Sequence, residues 1–230
     1  MTDMKRWKKA ILIVFLTVVA GLVALFVWQY DNIMAVVKVV SNTNEEIAKE
    51  IDDSKIILEK NLKEQYPSVI SDFTAEEERR IIKGELSVED AVANLKQKYK
   101  TAKVEQKSNN TATSPEVDAL IGDKVIELYS LKAYYLGQLG QMESAVKKEY
   151  SQLPKEERNL VGKQALVNKY MNTALALLSQ CDKQVEKLLS ELKGDLEDLN
   201  ADTSIIKTIR SAYENEKTLK KAYYLSLLEE

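Results

Sequence analysis

The chain contains no histidine and one cysteine, Cys181. Without histidine, the Ser-His-Asp and Cys-His nucleophile arrangements, the HExxH zinc site and the Glu-x-x-His di-iron motif are excluded together. A single cysteine allows no internal disulfide and no thiolate zinc cluster. Glycine (7) and proline (3) are scarce in 230 residues, so few positions resist helix formation and no glycine-rich phosphate loop occurs. Net positive charge is also lacking beyond the start. The first nine residues carry +3, so with −3 overall the remainder carries −6. Nucleic-acid binders present a basic face, and no nucleic-acid partner is expected. These exclusions predict a protein that is not an enzyme and needs no cofactor.

What is present is helix-forming and, at one place, strongly apolar. Ala10 to Trp28 is a run of 19 residues without a charge. As a helix it spans roughly 28 Å, close to the hydrocarbon thickness of a bilayer. The only tryptophans, Trp7 and Trp28, flank it, and Tyr30 adds to the outer edge. Amphipathic rings at both ends suit the two headgroup boundaries. The competing reading is a cleaved signal peptide cut after Ala20, before Gly21. That cut would leave Leu22–Trp28 as an apolar N-terminus, so a retained single transmembrane anchor is expected. Lys5, Arg6, Lys8 and Lys9 then place residues 1–9 in the cytoplasm and the body outside the membrane.

After the anchor, 29–66 reads as a juxtamembrane segment and helix. Asn42-Thr43-Asn44 marks a cap, Ile47, Ile51, Leu58 and Leu62 recur at helical spacing with Lys55 interrupting, and Pro67 stops the helix near Gln65. Residues 67–102 read as a small two-helix segment, opened by Thr74/Glu77 and Ser87/Asp90 caps. Residues 103–114 lack periodicity and read as a flexible linker. Residues 115–230 carry three helices. Ser114-Pro115-Glu116 starts the first, with a seam of Ile121, Val125, Leu128, Tyr135, Leu139, Met142 and Val146, and Lys132 as its polar intrusion. "LPKEE" at Leu153–Glu157 starts the second. Its seam runs Met171, Ala174, Leu178, Cys181, Val185, Leu188 and Leu192, then Leu196 and Leu199 after a stutter. Asp202-Thr203-Ser204 caps the third, with Ile205, Ile209, Ala212, Leu219 and Tyr223 inward. Short connections make neighbours antiparallel. The expected fold is all-α: an N-terminal transmembrane helix followed by an elongated antiparallel bundle of three helices, with 44–65 placed to add a fourth in cis or in trans.

Side chains that stand out are few. Cys181 falls on the second seam and reads as a small buried hydrophobe. Asp195, Glu197, Asp198 and Asp202 lack the order of a calcium loop and read as a solvated helix end. Glu76-Glu77-Glu78 sits in a first turn, where acids offset the helix dipole. Neighbours on a helix point about 100° apart. Tyr134-Tyr135 and Tyr223-Tyr224 therefore cannot both face one core, and one of each pair is expected at an interaction surface.

The run "IRSAYENEKTLKKAYYLSLLEE" at Ile209–Glu230, with "SQLPKEERN" and "LLSQCDKQVEKLLSEL", resembles a set of uncharacterised membrane-anchored helical proteins of anaerobic Gram-positive bacteria. The resemblance covers roughly residues 117–230 and implies a bacterial envelope setting without assigning an activity. The sequence thus points to an extracytoplasmic scaffold or interaction module with a protein partner or a second copy. A ligand-binding bundle serving a sensor is the second expectation, with Lys132 and tyrosines as polar groups inside. An enzyme of cell-wall polymer, which would need paired carboxylates in a cleft, is the third.

Overall fold

The computed structural model describes residues 43–106 and 114–226. They form six α-helices: α1 Asn44–Gln65, α2 Ala75–Ile82, α3 Val88–Gln106, α4 Pro115–Gln152, α5 Leu160–Asp198 and α6 Ser204–Ser226. One 3₁₀ turn, Lys155–Glu157, lies between α4 and α5, and there is no strand among the described residues. The fold is all-α. No helix among the described residues is long and apolar enough to cross a membrane. The segment Ala10–Trp28, with Trp7, Trp28 and Tyr30, lies outside them.

Helix starts follow local chemistry. The Thr43 N–H donates to Glu46 while Thr43 Oγ1 accepts from the Glu46 N–H. Thr74 and Glu77 form a full capping box. Ser87 Oγ accepts from the Asp90 N–H, and Ser114 Oγ from the Val117 N–H, with Pro115 in the first turn. Each such cap satisfies an N–H that the helix cannot and contributes about 1 kcal/mol. The start of α5 differs from expectation. Pro154 and Lys155–Glu157 make only the 3₁₀ turn, and the cap is Asn159, whose Oδ1 accepts from the Gly162 N–H. Helix α5 then runs through Gly194 without a stop. It ends at Asp198, where the Ala201 N–H closes onto Leu196 O and Asn200 takes the left-handed conformation at φ 52°. Asparagine tolerates that conformation and suits a helix end. Helix α3 continues to Gln106, into the stretch read as linker.

The chain divides into two compact units. The larger, Lys55–Ser211, is organised round α4. Helix α5 packs antiparallel to it, as two rungs show: Lys124 reaches Glu191 at 3.2 Å, and Glu149 reaches Lys169 at 2.6 Å. Ile121, Val125 and Tyr135 of the expected α4 seam are buried, as are Val185, Leu192 and Leu196 of the α5 seam; Leu139, Met142, Val146, Leu178 and Cys181 are half-buried. A second apolar face of α4 was not expected. Ile126, Ala133 and Leu136 form a core with Ile70 and Phe73 of the connecting segment, Ile81 of α2, and Ala91, Leu95 and Tyr99 of α3. Full burial of each large apolar side chain is worth roughly 1.5–3 kcal/mol, so this face and the α5 face contribute on the same scale. Residues 67–102 are therefore a layer laid on α4. In the smaller unit the start of α1 meets the end of α6 through Ile47, Ile51, Leu219 and Ala222, with Tyr223 half-buried against them.

Candidate functional site

The two lysines that interrupt apolar stripes, Lys55 and Lys132, converge on one carboxylate. Both ammonium groups bond Glu78 Oε1, at 2.5 Å from Lys55 and 2.7 Å from Lys132. Lys132 also lies 2.5 Å from Asp72 Oδ2, and Lys55 donates to the Phe73 carbonyl at 3.4 Å. The four side chains are only 10–16% exposed. A cation on an otherwise buried face loses its hydration and must find a carboxylate; here α1 and α4 each supply a cation, and α2 and the segment before it supply the anions. Glu76 and Glu77 stay at the surface end of α2, where Glu77 completes the cap and Glu76 pairs with Arg79. Glu78 is the third acid of the same first turn, as expected, and it is buried. Amine chemistry needs a lysine presented to a substrate. Both lysines here are turned onto carboxylates within packed segments, so the cluster acts as a clamp.

A second polar contact holds the same layer. The segment Tyr66–Phe73 is irregular, yet Tyr66, Ser68, Val69, Ile70 and Phe73 are all buried. Segments without regular structure normally lie at the surface because their backbone polar groups need partners. Asp118 on α4 partners one of them and the adjoining side chain: its Oδ1 accepts from the Ser68 N–H at 3.1 Å, and its own carbonyl accepts from Ser68 Oγ at 2.6 Å. Close approach requires glycine at two α4 positions. A Cβ on Gly122 would lie 2.5 Å from Ser68 Oγ, and one on Gly140 would lie 1.9 Å from the Ile82 carbonyl oxygen. The Tyr99 hydroxyl donates to the Ala119 carbonyl at 3.1 Å. Burial, with the Asp123 and Asp118 carboxylates nearby, pushes the Tyr99 phenol well above the ordinary tyrosine range.

The sequence-predicted positions fall as follows. Tyr134 is 48% exposed and its ring meets Tyr135 edge-on at 5.2 Å. Tyr135 is buried, and its hydroxyl has no hydrogen-bond partner among the described residues. Burial raises the Tyr135 phenol, with smaller contributions from Cys181 and Tyr134. Tyr223 lies half-buried in the smaller unit, and Tyr224 is on α6 beyond the side chains described. The structure brings Tyr134 and Tyr135 together; Tyr223 belongs to the other unit. Asp195, Glu197, Asp198 and Asp202 are exposed at the end of α5 and the turn after it. Asp72, Glu78 and Asp118 were missed as site residues. The signal for the first two was present in Lys55 and Lys132, each marked as a polar break in an apolar stripe.

A shallow groove of about 800 Å³ runs between the Pro67–Ser71 stretch and the α3 positions Asn94, Lys98 and Thr101. Its cations are engaged, Lys63 by Glu59 and Ser71, and Lys98 by Glu77. No protein-family model, curated protein or solved structure matches the chain.

Proposed function

We propose that the chain is a non-enzymatic interaction or scaffold protein, anchored in a bacterial cell membrane through Ala10–Trp28 with its helical body extracytoplasmic. The uncharged 19-residue run between the only two tryptophans carries the membrane part of this reading, since its length suits a bilayer and its ends suit the interfaces. Exposed Tyr134 on a long helix supports the interaction part, because surface tyrosine is a favoured contact residue. A photo-crosslinking residue at Tyr134 or Tyr224 in the native host is expected to capture a specific partner; failure at both positions counts against the reading. Sequencing the mature N-terminus tests the anchor, and a start at Gly21 overturns it.

The groove beside α3 favours a second reading, an extracytoplasmic ligand-binding bundle serving a sensor, because its size is that of small-molecule sites. Native mass spectrometry of the protein from its host would show a bound small molecule. A bare chain mass, with no thermal shift on adding envelope metabolites, removes this reading.

A further inference from the structure

With one cysteine, the chain has no internal disulfide to tie its irregular core segment down. The buried cluster at Lys132 holds the parts of a different cross-link. The Lys132 ammonium lies 2.5 Å from Asp72 Oδ2 and 2.7 Å from Glu78 Oε1, and the three side chains are 16%, 11% and 10% exposed. Turned inward, the amine meets a carboxyl group of its own chain. The two groups belong to different elements, α4 and the Tyr66–Phe73 segment, and stand 60 positions apart in sequence.

An amine and a carboxyl group condense when three conditions are met. They must be held together. Attack needs the nitrogen about 3–3.5 Å from the carboxyl carbon, and fixing that contact within one molecule is worth an effective concentration of about 10⁵–10⁸ M. The carbon is one bond beyond the Oδ2 that Lys132 already touches. They must react as neutral amine and neutral acid, the forms that burial favours over separate charges. A neighbouring group must also carry the proton, from within about 2.6–3.2 Å. Glu78 Oε1 meets that requirement at 2.7 Å from the Lys132 nitrogen.

The geometry points to an intramolecular isopeptide bond between Lys132 Nζ and the Asp72 side-chain carboxyl, with Glu78 as the catalytic residue. Nζ bonds to the Asp72 carboxyl carbon as one carbon–oxygen bond breaks. Of the three ammonium protons, one stays on the new amide nitrogen and two leave with the oxygen as water. Glu78 takes a proton from Nζ and passes it to the departing oxygen, so it ends as it began. No oxidation state changes and no co-reactant is consumed. The Lys132–Asp72 charges disappear from a site where charge is costly, and Lys55 on Glu78, at 2.5 Å, is left as a balanced pair. The bond fixes the irregular segment to α4. It places on the unfolded chain the kind of loop constraint that a disulfide imposes. It depends neither on the membrane anchor nor on a partner at Tyr134.

The test is trypsin digestion of the full chain and mass spectrometry of the products. Uncut at Lys132, the linked product joins Glu64–Arg79 to Val125–Lys147, at the summed mass of the two peptides less one water. Fragmentation should place the bond between Asp72 and Lys132. Lys132→Arg keeps a cation for Asp72 and Glu78 but supplies no amine nucleophile, and it should give separate peptides with helix content unchanged. Glu78→Gln keeps the amine and the Asp72 carboxyl but cannot take the proton. Followed from synthesis, its linked fraction should grow about 10²–10⁴-fold more slowly. Separate peptides alone, from the parent chain both fresh and after prolonged incubation in the folded state, overturn the inference. So does a bond mapped to another pair, a linked product in Lys132→Arg, or linkage at the parent rate in Glu78→Gln. Each of these results leaves the anchor and interaction readings standing, so the ideas fail separately.

Discussion

Helix α4 is buried on two faces by different means. Toward α5 the contact is an apolar seam, Ile121, Val125 and Tyr135 against Val185, Leu192 and Leu196, with ion pairs at its edges. Toward α1–α3 the apolar core is punctuated by buried polar locks, Asp118 on Ser68 and Lys132 on Asp72 and Glu78, and by close approaches at Gly122 to the Ser68 and Tyr99 side chains and at Gly140 to the Ile82 backbone. The difference teaches how two kinds of partner are specified. A helix with heptad-like spacing finds its register by interdigitation along many turns. A short irregular segment has no such repeat, and apolar burial alone would let it slide. Directional contacts at Asp118 and Lys132, fourteen residues apart on α4, set where Tyr66–Phe73 lies.

The comparison is broken most severely at Lys132. Lys132→Met removes one cation from the buried cluster and leaves Asp72 without that pairing; removal of one partner from such a cluster costs about 3–5 kcal/mol. Amide exchange should rise in residues 66–106 while 180–198 of α5 stays protected, and equal loosening of both faces would refute the distinction. Leu192→Ala probes the opposite face. It should cost about 2–5 kcal/mol and raise exchange chiefly along α5. Gly140→Ala drives a methyl group onto the Ile82 backbone, which cannot swing away as a side chain would. A loss of about 1–3 kcal/mol is expected, against a smaller effect for Gly194→Ala, whose Cβ would meet nothing. The smallest effect is at Tyr135. Its hydroxyl is buried without a partner among the described residues, so Tyr135→Phe should be neutral or slightly stabilising near pH 7.

Tyr135 also gives a pH signature. Its phenol is raised in the folded state, so the folded chain retains the proton while the unfolded chain gives it up near pH 10. The stability this group contributes is complete below about pH 10 and is lost as pH rises through the raised folded value. Thermal melts of Tyr135→Phe and the parent should therefore diverge above about pH 10, with the variant losing less. Parallel curves would show that the phenol is not buried as described.

The parts legible in the sequence are those written by neighbours in the chain. The caps at Thr43, Thr74, Ser87 and Ser114 and the stop before Pro67 need only residues within a turn. The start of α5 misled because Pro154 followed by acids fits a 3₁₀ turn as well as a helix, and Asn159 is an equally good cap. Spacing on α4 picked out one apolar face and hid the other, because Ile126, Ala133 and Leu136 sit among seam residues along the chain. Mid-helix glycines in α4 were a signal of close backbone approach, but no glycine names what approaches it.

The sequence by itself determined that the described chain is helical, where most helices begin, and that Lys55 and Lys132 interrupt apolar stripes. Those facts depend on bonds within a turn and on a 3.6-residue period. Only the tertiary structure decided that both lysines share Glu78, that Ser68 rests on Asp118, and that an irregular segment is core. Those contacts join residues 23 to 60 positions apart, and no local period relates them; burial, by making unpaired charge and unpaired backbone costly, selects the partners.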